Sequence, residues 1–379
     1  MKKTRLYASL GLVLTSLFLL SACGGTPNIG GGGEEKQLEE AQAPQTQDQD
    51  LEETYTDAAG REVTLKKPLD NIIVNNYDLG ESFAMVLGED YVDIISGTCT
   101  SNYLSNRDAY EKHYPKMKNL KSLGGGRGPY DLEAIFELDP DVFFMNSSDG
   151  FMDSRGEEIE KIEKAGIPVF VFYMYQDPIL APRETLRYIG EIFDREERAK
   201  EVTDFIDQQF ALVEERLAQV EEPVTFYYER TSGMTSAKDG WYTILTKAGG
   251  QCIAEDLMVA NSGKLDPETV LTENPDFIVL SGGIGYHSDS EEAEIDDFVA
   301  SLRARPGWED LDAIKEKKLF AFAHDFSRSP LSFYPILYMA KEFYPEEMKD
   351  VDPDAILKEF YDRFMIVDYE DGTWSYQID

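Results

Sequence analysis

Three arginines, Arg127, Arg230 and Arg328, stand out in a chain whose formal charge is -37. Each falls in a segment that follows a strand-like run or a glycine-rich turn, the region where open α/β sheets hold ligands. A guanidinium presents a planar fork of donors that matches the paired oxygens of carboxylate, hydroxamate or catecholate groups. One arginine alone is most often half of a surface ion pair. Three in such positions point to an anionic ligand. The same segments carry Tyr77, Tyr103, Tyr130, Tyr173, Tyr175, Trp241, Tyr286 and Phe326, rings able to grip a large flat molecule. The chain is 12% aromatic, however, so ordinary core and rim rings would look the same. His287, beside Tyr286 in a glycine-rich loop, could ligate a metal directly, although a lone loop histidine is more often a polar contact.

Other chemistries are poorly served. The Gly124 to Gly128 run lacks the Gly-Lys-Ser/Thr ending of a phosphate loop. No nucleophile elbow, His-Glu-x-x-His or kinase signature occurs. His324 with Asp325 is the one adjacent pair that suggests an enzyme, and its plainer reading is a polar loop. His113, His287 and His324 are scattered, and Cys23, Cys99 and Cys252 form no Cys-x-x-Cys pair. Neither a structural zinc site nor a disulfide framework is indicated. The acidic balance also excludes a nucleic-acid partner, which would need basic surface.

These loops need a scaffold. Apolar runs at 72–74, 92–95, 142–145 and 169–173 read as buried strands, with helical patterns at 80–87, 132–138 and 156–165 between them. Such alternation implies a parallel sheet covered on both faces. A long helical pattern at 195–220 follows, opened by a capping signal at Asp194 and Glu197, and would span about 39 Å. Strands at 224–228, 277–280 and 319–322 then alternate with helices at 241–248, 267–273, 295–304, 330–343 and 353–364. Residues 368–379 read as a polar tail.

The expected organisation is a signal peptide at 1–22, a lipidated flexible tether at 23–54, an α/β lobe at 55–181, a helical connector at 182–221 and a second α/β lobe at 222–379. Lys2, Lys3 and Arg5 precede a short apolar run that ends in Leu20-Ser21-Ala22-Cys23. That run is well short of the ~20 residues that span a bilayer, and the tetrapeptide resembles a lipobox, whose cysteine is diacylated. Loss of the three basic residues would bring the mature charge near -40. Glycines and a Glu/Gln/Asp-rich stretch after Cys23 cannot bury a core.

One internal echo links the two halves. Glu133 precedes Pro140-Asp141 by seven residues, and Glu268 precedes Pro275-Asp276 by the same interval. Each copy reads as a short helix with an exposed glutamate, a Pro-Asp turn and a buried strand.

These pieces, with Thr56-Asp57-Ala58-Ala59-Gly60-Arg61, Thr246-Lys247-Ala248-Gly249-Gly250, Pro306-Gly307-Trp308 and Tyr344-Pro345-Glu346, resemble in order the class III, helical-backbone binding proteins of ABC importers for ferric siderophores, haem and vitamin B12. The resemblance implies two Rossmann-like lobes with parallel sheets, one long joining helix and a ligand cleft between the lobes. It further implies a lipid-anchored, extracytoplasmic monomer without enzymatic activity or resident cofactor. Its partners would be an ABC permease dimer with a cytoplasmic ATPase, the permease arginines docking on Glu133 and Glu268. The transported ligand would contain iron or cobalt. A ferric siderophore or similar anionic iron chelate suits the arginines; a corrinoid, haem, or molybdate and tungstate oxyanions are the alternatives, and an enzyme on a related scaffold a more distant one.

Overall fold

The computed structural model describes residues 51–99, 104–125, 128–174, 177–230, 232–238, 240–282, 284–286 and 291–378; for 104–107, 149–151, 153 and 291–295 only the backbone is considered. The signal-peptide and lipidation readings, including Cys23, and most of the tether lie outside these residues.

Fourteen strands organise the described residues. β1 (Leu51–Thr56) and β2 (Glu62–Lys67) form an antiparallel hairpin. β3 (Ile72–Val74), β4 (Ile95–Thr98), β5 (Lys121–Ser122), β6 (Val142–Asn146) and β7 (Val169–Phe172) make a parallel sheet in the order β5-β4-β3-β6-β7. β8 (Thr225–Arg230), β9 (Thr235–Ser236), β10 (Gln251–Cys252), β11 (Ser262–Gly263), β12 (Phe277–Ser281), β13 (Leu319–Phe322) and β14 (Ser375–Gln377) follow. Of these, β10-β8-β12-β13-β14 form the second sheet, parallel except for β14. The strands β3, β6, β7, β12 and β13 are buried along their whole length, because helices cover both faces.

Around the first sheet lie α1 (Tyr77–Leu87), α2 (Asp90–Ile94), α3 (Leu104–His113), α4 (Leu132–Leu138), α5 (Asp149–Lys164) and α6 (Leu180–Ile192). The connector is α7 (Glu196–Leu217), 22 residues and so about 33 Å long. Around the second sheet lie α8 (Gly240–Lys247), α9 (Pro267–Glu273), α10 (Glu291–Arg303), α11 (Asp312–Lys315), α12 (Phe333–Phe343) and α13 (Pro353–Phe364).

Several local readings are corrected. Residues 51–54, read as tether, belong to the strand β1, where Glu52 and Glu53 pair across the hairpin with Lys66 and Lys67. The apolar run at 92–95 is mostly helix: α2 ends at Ile94 and β4 starts at Ile95. Asp194 does not cap α7; it sits in the left-handed region at φ 55° and the helix opens after Arg195. The last residues are not a bare tail, since β14 pairs antiparallel with β13 and places Ile378 in the core of the second lobe.

The echo is structural. α4 and α9 are both seven residues long, N-capped by the Asp131 and Asp266 side chains. Both end in a left-handed residue, Asp139 at φ 45° and Asn274 at φ 43°. Glu133 and Glu268 occupy the same second position of their helices, and both are exposed.

Both lobes are built onto α7. Its Ala199, Val202, Phe205, Ile206 and Val213 belong to one core that includes Phe144 and Phe172 of the first sheet and Phe226 and Phe322 of the second. Phe205 meets Phe333, Phe360 and Phe364 with ring centroids 5.9, 5.5 and 5.7 Å away. Arg198 donates to the Met85 carbonyl at the end of α1 (3.2 Å) and to the Arg363 carbonyl at the end of α13 (2.6 Å). One guanidinium thereby serves the C-termini of helices from both lobes, where carbonyls lack intrahelical partners. Emptying the Phe205 site by Phe205→Ala should cost about 3–5 kcal/mol and lower the urea midpoint of both lobes together; a loss below about 1 kcal/mol would contradict a shared core.

Candidate functional site

The ends of β3, β6 and β7 in the first lobe are tied by amides. Asn75 Nδ2 donates to the Asn146 carbonyl (3.0 Å), and the Asn146 amide donates to Asn75 Oδ1 (2.8 Å). Asn146 Oδ1 accepts from the Met174 amide (3.2 Å). Asn146 Nδ2 is buried and meets no acceptor among the described residues. Such a donor at the strand ends is one that a ligand oxygen would satisfy. Ser147 and Ser148 follow, and Ser148 occupies the N-cap of α5 without a side-chain capping bond.

The glycine run is braced from below by Arg155, a residue the sequence did not single out. Arg155 is 5% exposed; it donates to the Gly128 carbonyl (2.7 Å) and to Glu158 (2.8 Å), and its guanidinium lies 4.3 Å from the Tyr130 ring centre. Glu158 in turn accepts from the Tyr130 amide (2.9 Å). Gly125 has φ 89°, and a Cβ there would stand 2.8 Å from the Tyr130 ring and 2.9 Å from Cys99 Sγ. The glycines are needed for this tight turn. Arg127 lies outside the described residues, as do Tyr103, Tyr175 and His287.

In the second lobe, Tyr228, Ser281 and His324 form a chain: Tyr228 hydroxyl to Ser281 Oγ 2.6 Å, Ser281 Oγ to His324 Nδ1 2.8 Å. Burial, then the Arg328 guanidinium, push the His324 pKa down to about 3; Asp325 pulls the other way, and Arg230 adds a smaller push down. So weak a base does not activate a neighbouring hydroxyl at neutral pH, and the chain works as structure. Cys99 and Cys252 are buried thiols, and burial pushes the Cys99 thiol up to about 12.

Most aromatic candidates are core rather than ligand surface, because their rings are already covered by neighbours. Tyr77, Tyr130, Trp241, Tyr286 and Phe326 are all at most 6% exposed. Trp241 stacks on Tyr228 at 5.6 Å and donates Nε1 to the His324 carbonyl (3.3 Å). Tyr286 packs edge-on to Trp374 at 4.9 Å and receives the Tyr361 hydroxyl (3.2 Å). Tyr130 packs edge-on to Phe143, and Phe326 against Tyr334 and Trp374. Tyr173 is half-buried against the first-lobe core.

The arginines divide. Arg328 faces the buried Asp78 of α1, Nε to Oδ2 3.3 Å, and also pairs with Asp325. It therefore bridges the two lobes, and its charge is matched by carboxylates. Burial pushes the Asp325 carboxyl up, but Arg328, His324 and Arg230 together hold the group below its ordinary value. Arg230, at the end of β8, is exposed, and its guanidinium meets no partner among the described residues. Its neighbour Glu229 is buried, held by Arg305 through two bonds of 2.9 and 2.7 Å and by the Tyr227 hydroxyl at 2.7 Å.

Beside Asp78, Glu81 is 3% exposed. Burial first, then the Asp78 and Asp325 carboxylates, push its carboxyl well above the ordinary range, opposed by a hydrogen bond from Tyr286. A carboxyl whose pKa is raised by folding binds its proton more tightly in the folded state. Stability is then undiminished below the unfolded value of about 4.3 and falls as pH rises above it. Glu81→Gln keeps the shape without the charge. Its melting temperature should exceed that of the wild type at pH 8, the margin closing towards pH 4; a margin independent of pH would refute this account.

A family model described as periplasmic binding protein matches residues 86–325. The TroA-like periplasmic binding protein FepB from Veillonella parvula is similar in structure, with a TM-score of 0.75 and 28% identity, covering 86% of this chain and 99% of that one. The molybdate-binding protein MolA of Haemophilus influenzae is 20% identical over 344 residues, 83% of this chain and 91% of MolA. A periplasmic heme-binding protein, RhuT from Roseiflexus sp. RS-1, shares the fold at a TM-score of 0.55 and 17% identity, covering 74% of this chain and all of that one. With two α/β lobes on one connecting helix and a family match across both, the chain belongs to the periplasmic binding protein family and is an extracytoplasmic solute-binding protein of an ABC transporter.

Proposed function

We propose that this protein captures an anionic, oxygen-rich metal species between its lobes, a ferric siderophore or similar iron chelate, and hands it to an ABC permease dimer served by a cytoplasmic ATPase. The observation that carries this reading is Arg230. Its guanidinium is exposed at the end of β8 and meets no partner among the described residues, in a chain that carries 73 acidic residues. In so acidic a protein, such a cation is available for a ligand's oxygens. Asn146 Nδ2, at the end of β6 in the other lobe, adds a neutral donor of the same use.

A molybdate or tungstate oxyanion is the second reading. MolA favours it, as does the burial of five aromatic candidates, which withdraws the surface that haem or a corrinoid would stack on. Cys23 is the proposed lipid anchor. Glu133 and Glu268, exposed at equivalent positions of α4 and α9, are the proposed contacts to permease arginines, one per lobe.

Calorimetric titration of the soluble chain with ferric hydroxamate and catecholate chelates, molybdate, haem and cyanocobalamin separates these ligands. A ferric chelate should bind, and Arg230→Ala should weaken it at least tenfold, about 1.4 kcal/mol. Binding of cyanocobalamin alone, or unchanged affinity in the variant, would overturn the anionic reading. Glu133→Ala combined with Glu268→Ala should abolish uptake in cells while leaving the titration unchanged; weakened binding by the purified double variant would instead place these residues in the ligand site.

A further inference from the structure

We propose that His113, Asp368 and Asp371 form a divalent-metal site that pins the first lobe to the C-terminal segment of the second. His113 ends α3, while Asp368 caps and Asp371 ends a 3-10 turn at Tyr369–Asp371, after α13 and before β14. His113 Nε2 lies 2.5 Å from Asp371 Oδ2 and 3.8 Å from Asp368 Oδ2. One ligand atom from each of the three residues falls within 4.8 Å of the others. Ligands at ~2.0–2.2 Å from a tetrahedral zinc stand roughly 3.3–3.5 Å apart. The 2.5 and 3.8 Å separations bracket that value, so side-chain shifts on the order of an ångström would admit an ion with water as a fourth ligand.

The donors are prepared beyond their mutual distances. Asp371 is 6% exposed and fixed by the Asp368 amide (3.1 Å), and Lys112 pairs with its other oxygen, Oδ1. That leaves Oδ2 aimed at the imidazole, with outer contacts setting the orientation of the carboxylate. Without an ion, the imidazole N–H donates to Asp371 and the same residues form a weaker bridge. One nitrogen and two carboxylate oxygens suit zinc, nickel or manganese. Because α3 and the turn are more than 250 residues apart in the chain, an ion here would oppose separation of the lobes. This site is separate from the proposed cargo site and does not depend on the cargo's identity.

The test is zinc titration of the metal-stripped soluble chain by calorimetry, paired with thermal melts. Asp368→Asn keeps a side chain that can cap the turn and leaves the His113–Asp371 contact in place, so its fold should survive; His113→Gln removes the nitrogen ligand. The wild type should bind one zinc at this site in the micromolar range and melt higher with zinc. Each variant should lose that binding at least tenfold and lose the zinc-dependent shift. Zinc affinity and shift unchanged in both variants, or no zinc binding by the wild type, would overturn the proposal. Changing Arg230 instead should leave this zinc binding intact, which separates it from metal held between the lobes.

Discussion

The structure depends on one helix having two cores to satisfy. α7 carries apolar residues that belong to a single cluster shared by both sheets, so neither lobe can complete its interior without it. Arg198 sharpens the dependence by binding the exposed carbonyls at the ends of α1 and α13, one from each lobe. A connector of this kind resists hinge bending, because rotating one lobe would expose aromatic surface around Phe205. The polar bridges Asp78–Arg328 and Lys112–Asp371 act in the same direction from other positions on the interface.

That constraint shapes the electrostatics between the lobes. Asp78 and Glu81 are both on α1 and both buried, and Asp325 approaches them from the second lobe. Two carboxylates cannot share a dry environment in ionised form without compensation. Arg328 compensates Asp78 and Asp325, while Glu81 is pushed toward its neutral form. The lobe interface therefore sets a paired charge cluster beside an acid whose neutral form is favoured, which ties its stability to pH.

Much of the framework was legible in the sequence because buried parallel strands leave short apolar runs bounded by polar turns. β3, β6, β7, β12 and β13 were found this way. The echo was legible because its register rests on backbone requirements: an aspartate N-cap, a left-handed C-cap and a proline before the strand recur in α4 and α9. The run at 92–95 failed because a buried one-turn helix and a buried strand have the same composition. β14 was missed because Ser375-Tyr376-Gln377 has no apolar run and takes its conformation from β13. Arg155 was missed because its role depends on a carbonyl 27 residues away, which no local pattern records.

The candidate site was less legible, and the reason is specific to an acidic chain. Position after a strand placed Arg230 and Arg328 in the same class, yet one is exposed and the other is bound to two carboxylates. With 73 acidic residues against 36 basic ones, an arginine has an abundance of potential partners, and pairing is its ordinary state. Proximity to a strand end thus carries little information about an arginine here; exposure combined with the absence of a partner among the described residues carries much more. The same argument applies in reverse to the aromatics. A ring at a strand end is the cheapest way to close a core layer, and Trp241, Tyr286 and Phe326 do so in the second lobe. Among the described residues, what is left for a ligand is a polar surface of amides, hydroxyls and the exposed Arg230 guanidinium, a surface that recognises oxygen better than it recognises a flat ring.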